Sequence, residues 1–304
     1  MTKQAALSKF DSLNIWKRGD QRAPHKPLLV LLALGRWQQG ETEISFEAAA
    51  PELTELLQEF GPNRKTDHPE LPFFHLQSDG VWKMATVGEP IPRKGSKNFT
   101  RRELLDHQAT GRFSDDVLTA LKRDPALAGE IATRILDAHF PDSLHSEILA
   151  AVGVDADPRS VSMRRPRDPR FRDRILTAYE YRCAVCGFDV RLGSQSIALE
   201  AAHIKWHQAG GPDVETNGVA LCVLHHRVFD LGAFTINSQL AILVSEKANG
   251  SRGLDETLLR FHGTNLRKPQ RPEFLPLGEF TDWHRQEVFK GKPRHTDRIN
   301  YAGC

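Results

Sequence analysis

Apolar positions in the first half of the chain recur at helical spacing more often than they alternate. Leu7, Phe10, Leu13 and Ile15 fall roughly one helical turn apart. After the polar stretch RGDQRAPH, a helix is expected to open with Pro27 in its first turn and to stop near Gly40. Its run Leu28 to Leu34 is apolar on every side, so it is read as the central helix of an N-terminal domain. A short strand is expected at 43–46 and a third helix at 51–60, closed by Gly61 and Pro62. Phe73-Phe74-His75-Leu76 and Val81-Trp82-Lys83-Met84 flank Ser78-Asp79-Gly80, a pattern that predicts a β-hairpin. Thr100 and Glu103 form a capping-box pair, and helices follow at about 114–123, 125–139 and 142–151.

The second half is patterned differently. A helix over about 169–181 leads to Cys183, a strand over 197–204 carries His203, and a loop holds Gly210-Gly211-Pro212. Val219 to Phe229 reads as a helix. The fold class is α+β: a mainly helical domain over 1–153 with a winged-helix-like hairpin, a linker over 154–168 rich in Gly, Pro, Arg and Asp, and a second domain over 169–304. The tail from about 290 is expected to pack poorly.

Composition narrows the class. The chain has 304 residues, 39% hydrophobic and 26% charged, as in globular rather than disordered proteins. Its longest apolar run is far short of a membrane span, and Asp11 and Asn14 interrupt any signal-peptide pattern. Four cysteines, three of them clustered, do not make a disulfide framework, and the cell interior is the expected compartment. The net charge of +2 is less telling than its distribution. Arginines 159, 164, 165, 167, 170, 172 and 174 crowd one segment, and Arg93, Lys94, Lys97, Arg101 and Arg102 crowd another. Such clusters suit contact with a polyanion at two places; two solvated faces are the alternative.

Candidate chemistry is concentrated between Cys183 and Asp230. Cys183 and Cys186 form a knuckle with Gly187, and Cys222 and His225 supply a matching pair. Four such ligands suit structural zinc, with bonds of roughly 2.3 Å to sulfur and 2.0 Å to nitrogen. Buried thiols and a redox Cys-x-x-Cys are the alternatives, the second without a thioredoxin-like surrounding. On a helix, neighbouring His225 and His226 point about 100° apart, so one can face the zinc while the other faces elsewhere.

Strand, loop and helix bearing His203, Asn217 and His226 resemble the HNH nucleases, most closely in AAHI, GGPD, NGVALC and LHHRVFDLGAFTI. The resemblance implies a ββα-metal fold over about 170–250. His203 would be the general base, His226 would bind a catalytic Mg²⁺ or Mn²⁺, and Asn217 would hold the loop and orient the base or lie close to that ion. Where many HNH sites carry Asp or His before the base, this chain has Ala202; Glu200 on the same face is one substitute, and His226 with waters and a DNA phosphate is the alternative. His207 reads as a loop residue.

The N-terminal half, in FDSLNIWKRGDQRAPHKPLLVLLALGRW and HPELPFFHLQSDGVW, resembles the sulfur-binding domain of McrA-type restriction endonucleases that depend on phosphorothioated DNA. The resemblance implies a bacterial, cytoplasmic enzyme acting on double-stranded DNA. Leu71, Pro72 and His75 would wall an apolar pocket with His25 and Lys26 beside it, and Arg93, Lys94, Lys97 and Arg101 would reach phosphates or base edges. Rival readings are an HNH nuclease that reads a methylated base or plain sequence, and a non-catalytic zinc-containing DNA-binding protein. One HNH site cuts one strand, so a double-strand cut implies a homodimer or successive nicks.

Overall fold

Leu28 to Leu34 are all buried, at the centre of the first of two units. The computed structural model describes residues 1–16, 18–88, 98–156, 168 and 170–295; the units comprise 1–165 and 166–304. In the first, α1 (Lys3–Asp11) and α2 (His25–Gln38) precede a short strand β1 (Ile44–Ser45) and α3 (Phe46–Phe60). Ser45 caps α3 through its side chain, so this helix starts five residues before Pro51, which it accommodates within its N-terminal half. Next come α4 (Glu70–His75), β2 (Trp82–Ala85), α5 (Arg101–Asp106) and β3 (Thr110–Phe113). The helices α6 (Asp115–Arg123), α7 (Leu127–His139) and α8 (His145–Val152) complete the unit. The expected capping box forms: Thr100 accepts from the Glu103 N–H, and Glu103 accepts from the Thr100 N–H.

The hairpin expected around Ser78–Gly80 does not form. Residues 73–79 are helical, and β2 pairs with β3, which pairs on its other edge with β1, giving an antiparallel sheet of order β1-β3-β2. Local chemistry explains the difference. Pro69 and Pro72 occupy the cap and first turn of α4, where proline costs no hydrogen bond. Ser78 then donates to the His75 carbonyl and Gln77 to the Phe74 carbonyl, favouring a continued turn. Gly80, at φ 70°, ends it. Asp79 faces inward and accepts from the Asn14 N–H and the Lys26 ammonium.

The second unit begins with α9 (Phe171–Ala178), then the small hairpin β4 (Arg191–Leu192) and β5 (Gln195–Ser196). Next, β6 (Leu199–His203) and β7 (Gly218–Cys222) pair antiparallel, with His203 opposite Gly218 and Leu199 opposite Cys222. After β7 comes α10 (Val223–Asp230), so the helix expected from Val219 begins four residues later. Val219, Ala220 and Leu221 are fully buried, and a strand covered on both faces carries no alternation to set it apart from a buried helix. The pair β8 (Phe234–Ile236) and β9 (Ile242–Val244) follows, then α11 (Arg252–Thr257) and α12 (Gly278–Glu287).

The tail expected to be loose is bound in as far as it is described. Val288 and Phe289 are buried, the Arg294 N–H donates to the Val244 carbonyl at 2.9 Å, and Pro293 bridges to Ser245. Of the expected linker 154–168, residues 157–167 lie outside the described residues, and the described ones near its two ends are hydrogen-bonded. Gln38 bonds both the N–H and the carbonyl of Asp155, and the Asp168 N–H donates to Asp213. Arginines 159, 164, 165 and 167 lie outside the described residues. Among the described residues no helix is long and apolar enough to cross a membrane.

One contact sets how α9 lies on the β6–β7 pair. A Cβ on Gly218 would meet Ile175 Cδ1 at 2.2 Å and Phe171 Cζ at 3.0 Å. The helix therefore rests on the strand where a side chain is missing. Gly218→Ala should cost about 1–3 kcal/mol by overpacking, read as a lowered denaturant midpoint; an unchanged midpoint would remove this account of the packing.

Candidate functional site

Two constellations share the β6–β7–α10 unit. The first is built from both ends of the chain segment. The turn after α9 presents Cys183 and Cys186, with Gly187 at φ 77°, and Cys222 ends β7 where α10 begins and carries His225 one turn on. The ligand atoms of these four residues lie within 4.8 Å of one another. Cys222 Sγ is 3.1 Å and Cys183 Sγ 3.7 Å from His225 Nδ1, and Cys186 Sγ is 4.0 Å from Cys222 Sγ. These separations approximate the edges of a tetrahedron with metal bonds of roughly 2.0–2.3 Å. His225 Nε2–H donates to the Thr257 carbonyl at 2.8 Å, which leaves Nδ1 as the coordinating nitrogen. Thiol donors from Cys186 and Cys222, with His225 beside them, push the Cys183 thiol well down towards thiolate. The donor set and its geometry fit a structural zinc ion.

The second constellation lies along β6 and the far side of α10. His203 Nε2 is 2.8 Å from Asp213 Oδ1, and its ring stacks on Phe171 with centroids 4.1 Å apart and planes 14° from parallel. The Asp168 N–H donates to Asp213 Oδ2 at 2.8 Å. Burial works against the Asp213 carboxylate, but the Asp168 N–H and His203 outweigh it and hold its pKa below the ordinary value. Asn217 is fully buried; its carbonyl oxygen accepts from the Lys205 N–H and its amide donates to the carbonyls of Lys205 and Pro212. It laces the two ends of the loop 205–217. Gly211 makes that lacing possible, because a Cβ there would meet the Lys205 carbonyl oxygen at 1.8 Å.

His225 and His226 do diverge, the first to the cysteines and the second to carboxylates. His226 Nδ1 is 2.7 Å from Glu200 Oε2, and Nε2 is 3.1 Å from Asp230 Oδ2. Asp230 is buried and also accepts from Trp206 Nε1–H at 2.9 Å. Desolvation disfavours the imidazolium, yet Asp230 and Glu200 outweigh it and push the His226 pKa up to about 10. Glu200 is pulled below the ordinary range mainly by its bond to His226. The strand residue proposed in place of Ala202 thus stands next to His226, while Ala202 itself is fully buried. His207 is on the loop, its ring 6.0 Å from that of His203.

Sequence reasoning missed Asp213, Asp230 and Phe171. Asp230 was readable as the i+4 neighbour of His226 on a helix, and Asp213 as the residue after the Gly-Gly-Pro turn. Phe171 was not readable, since its contact depends on how α9 crosses the sheet. C-terminal residues also support the site: His284 stacks on Phe229 of α10 at 3.7 Å, and Trp283 meets Trp206 edge to face.

In the first unit α4 packs on α2. Pro72 is buried, with Leu71 and His75 half-buried beside it. His75 Nε2 is 2.9 Å from Asn98 Oδ1, and Phe74 meets Phe99 edge to face at 4.9 Å. The residues that follow the basic stretch are thereby pinned to α4. Arg93, Lys94 and Lys97 lie outside the described residues, and Arg101 is exposed at the start of α5. His25 Nε2 bonds the Asp67 carbonyl at 3.0 Å, and burial lowers its pKa below 6.5, so the ring is neutral at physiological pH. The Lys26 ammonium is committed inward to Asp79 at 2.6 Å and the Asn14 carbonyl at 2.8 Å.

Residues 3–157 match the model of the ScoMcrA-like DNA sulfur-binding domain, and residues 183–237 match an HNH endonuclease model. Comparison with curated proteins gives no match. The sulfur-binding domain of ScoMcrA complexed with phosphorothioated DNA is 18% identical, with a TM-score of 0.42 over 48% of this chain and 94% of that one. The corresponding SprMcrA complex is 17% identical, with a TM-score of 0.43 over 50% and 94%. The modification-dependent TagI restriction endonuclease is 26% identical, with a TM-score of 0.29 over 45% and 41%. With its first match spanning just over half of its length, the chain belongs to the ScoMcrA-like DNA sulfur-binding family, and it carries an HNH endonuclease domain as its second part.

Proposed function

We propose that this chain is a modification-dependent restriction endonuclease that binds phosphorothioated DNA through its first unit and hydrolyses a phosphodiester bond nearby at His203. The observation that carries the hydrolytic half is the state of the His203 ring inside the matched HNH segment: Nε2 is occupied by Asp213 at 2.8 Å and the plane is held by Phe171. With Nε2–H donated to a carboxylate, Nδ1 is the nitrogen that takes a proton from an attacking water, as a neutral imidazole can at physiological pH. Asn217 keeps the loop in place rather than touching the reacting atoms. Glu200 and His226 would hold the catalytic divalent cation, His226 giving up a ring proton when the ion binds. Asp230 accepts from His226 Nε2–H and so turns Nδ1 towards Glu200. Such an ion supplies electrostatic stabilisation of the charge that develops on the phosphate and the leaving oxygen.

The reading half rests on the family match and on the chemistry of sulfur. Sulfur in place of a non-bridging oxygen is larger, more polarizable and less strongly hydrated, so an apolar wall gains from contact with it. Leu71, Pro72 and the neutral ring of His25 supply that wall, with His75 at its edge. Arg101 and the basic residues Arg93, Lys94 and Lys97 serve the phosphates, whose contacts position the duplex. Lys26 frames the wall through its ion pair with Asp79.

The decisive experiment compares matched duplexes with and without one phosphorothioate, for binding and for cleavage by the native chain and His203→Ala. The sulfur-bearing duplex should bind more tightly, and the variant should bind equally well while losing about 10²–10⁴-fold in cleavage. Equal affinity for both duplexes would remove the sulfur reading. Undiminished cutting by His203→Ala would remove the base.

A zinc ion in the cysteine cluster is a separate expectation. Purified protein should carry one zinc per chain, and Cys183→Ser should lose it and unfold the second unit, because structural zinc binding is worth about 10–16 kcal/mol in small domains. A folded, zinc-free chain, shown by elemental analysis and circular dichroism, would rule this out.

A further inference from the structure

The loop between β6 and β7 holds a carboxylate that the HNH reading gives no task. We propose that Asp213 is the positioning residue of the His203 base, and that Asn217 acts on the base through it. The inference rests on the reading of His203 as the base.

Three layers of contact carry it. Asp213 Oδ1 lies 2.8 Å from His203 Nε2, and its side chain is only 15% exposed. Its other oxygen does not turn to water but accepts from the Asp168 N–H at 2.8 Å. The Asp213 carbonyl accepts from Arg174 at 2.6 Å, and Arg174 also pairs with Asp168 at 2.5 Å and Glu215 at 2.9 Å. The carboxylate is therefore fixed from both sides in front of the ring. The residue before it, Pro212, gives its carbonyl to the Asn217 amide at 3.0 Å. Asn217 also bonds the N–H and carbonyl of Lys205, two residues beyond His203. Losing the Asn217 amide would release the loop that aims Asp213, with no contact of Asn217 to the reacting atoms.

Geometry gives Asp213 two effects. It selects the tautomer with the proton on Nε2, leaving Nδ1 to act, and it stabilises the imidazolium that forms when Nδ1 takes a proton. Phe171 completes the restraint by fixing the ring plane. Among the described residues, the charged and titratable groups near His203 include Asp213 and His207 on the loop, Asp168 before α9, Arg174 on α9, and Glu215, which neutralises Arg174 in part. Further along β6, Glu200 is taken up by His226 of α10, and Arg172 of α9 bonds the Leu199 carbonyl. Asp213 is the carboxylate in hydrogen-bond contact with the base among the described residues.

The test is single-turnover cleavage of a phosphorothioated duplex by the full chain in Mg²⁺ or Mn²⁺, as a function of pH, for native protein, Asp213→Asn, Asp213→Glu and His203→Ala. Activity that needs a neutral base rises with pH through the titration of that base. Asp213→Asn removes the charge that favours the imidazolium, so the rising limb should move to lower pH by about one unit. Its plateau should fall about tenfold to a hundredfold, with DNA affinity unchanged. Asp213→Glu should return the limb towards its native position at a reduced rate. Loss of rate in Asp213→Asn with the limb unmoved, or native rate and limb together, would overturn the positioning role. The His203→Ala arm separates the two readings. If that variant is inactive while Asp213→Asn behaves as native, the base stands and the positioning role falls; if it still cuts, both fall.

Discussion

The nuclease unit depends on the pairing of His203 with Gly218. Register in a two-stranded ladder fixes which residues stand opposite one another, and here it sets the histidine across from the one residue without a side chain. The space left by Gly218 admits α9 onto the strand, with Ile175 and Phe171 filling it. Phe171 can then lie flat on the His203 ring, and Asp168, three residues earlier, can reach the Asp213 carboxylate. A slip of one residue would turn His203 to the other face of the sheet if β6 moved, or set Val219 against α9 if β7 did. Packing and site geometry are thus one constraint.

The cysteine cluster works on the same ladder from its other end. Leu199 faces Cys222 in the register, so the residue that ends β7 also belongs to the tetrahedral set. Fixing Cys222 and His225 to Cys183 and Cys186 holds the first turn of α10 and, with it, the direction of His226. From behind, His284 stacks on Phe229 and bonds its carbonyl, and Trp206 ties Asp230 to the loop. The helix that presents His226 is held at its start by the soft ligands and at its end by aromatic packing. Both ends of β7 therefore carry chemistry, with Asn217 before it and Cys222 at its close.

Much of this was legible in the sequence. Spacing alone paired Cys183 and Cys186 with Cys222 and His225, because ligands must converge whatever the surrounding fold. The 100° step between adjacent helical residues predicted that His225 and His226 would diverge, and they do. What periodicity could not resolve were segments where pattern and context disagree. Phe73 to Leu76 reads as a strand, but prolines at first-turn positions and hydrogen bonds from Gln77 and Ser78 make it helical. Val219 to Leu221 reads as helix because burial on both faces erases the alternation. Phe171 was invisible as a partner of His203, since their stacking is a property of the packed unit and not of any local stretch.

Ala202 shows how a missing side chain is offset by the neighbourhood. At that place the strand is sealed, with Ala202 fully buried, so a carboxylate there would need a charged partner in an apolar setting. Two residues earlier Glu200 occupies the same face of the strand, 45% exposed at its side chain, where an anion is tolerated. From there it meets His226, whose other nitrogen is oriented by the buried Asp230. One carboxylate is open to solvent and the other buried, with the imidazole between them, so the buried one orients and the open one is free to exchange its partner. The arrangement keeps an anion beside His226 without placing a charge inside the sheet, so the alanine before His203 is compatible with the metal-assisted reading proposed above.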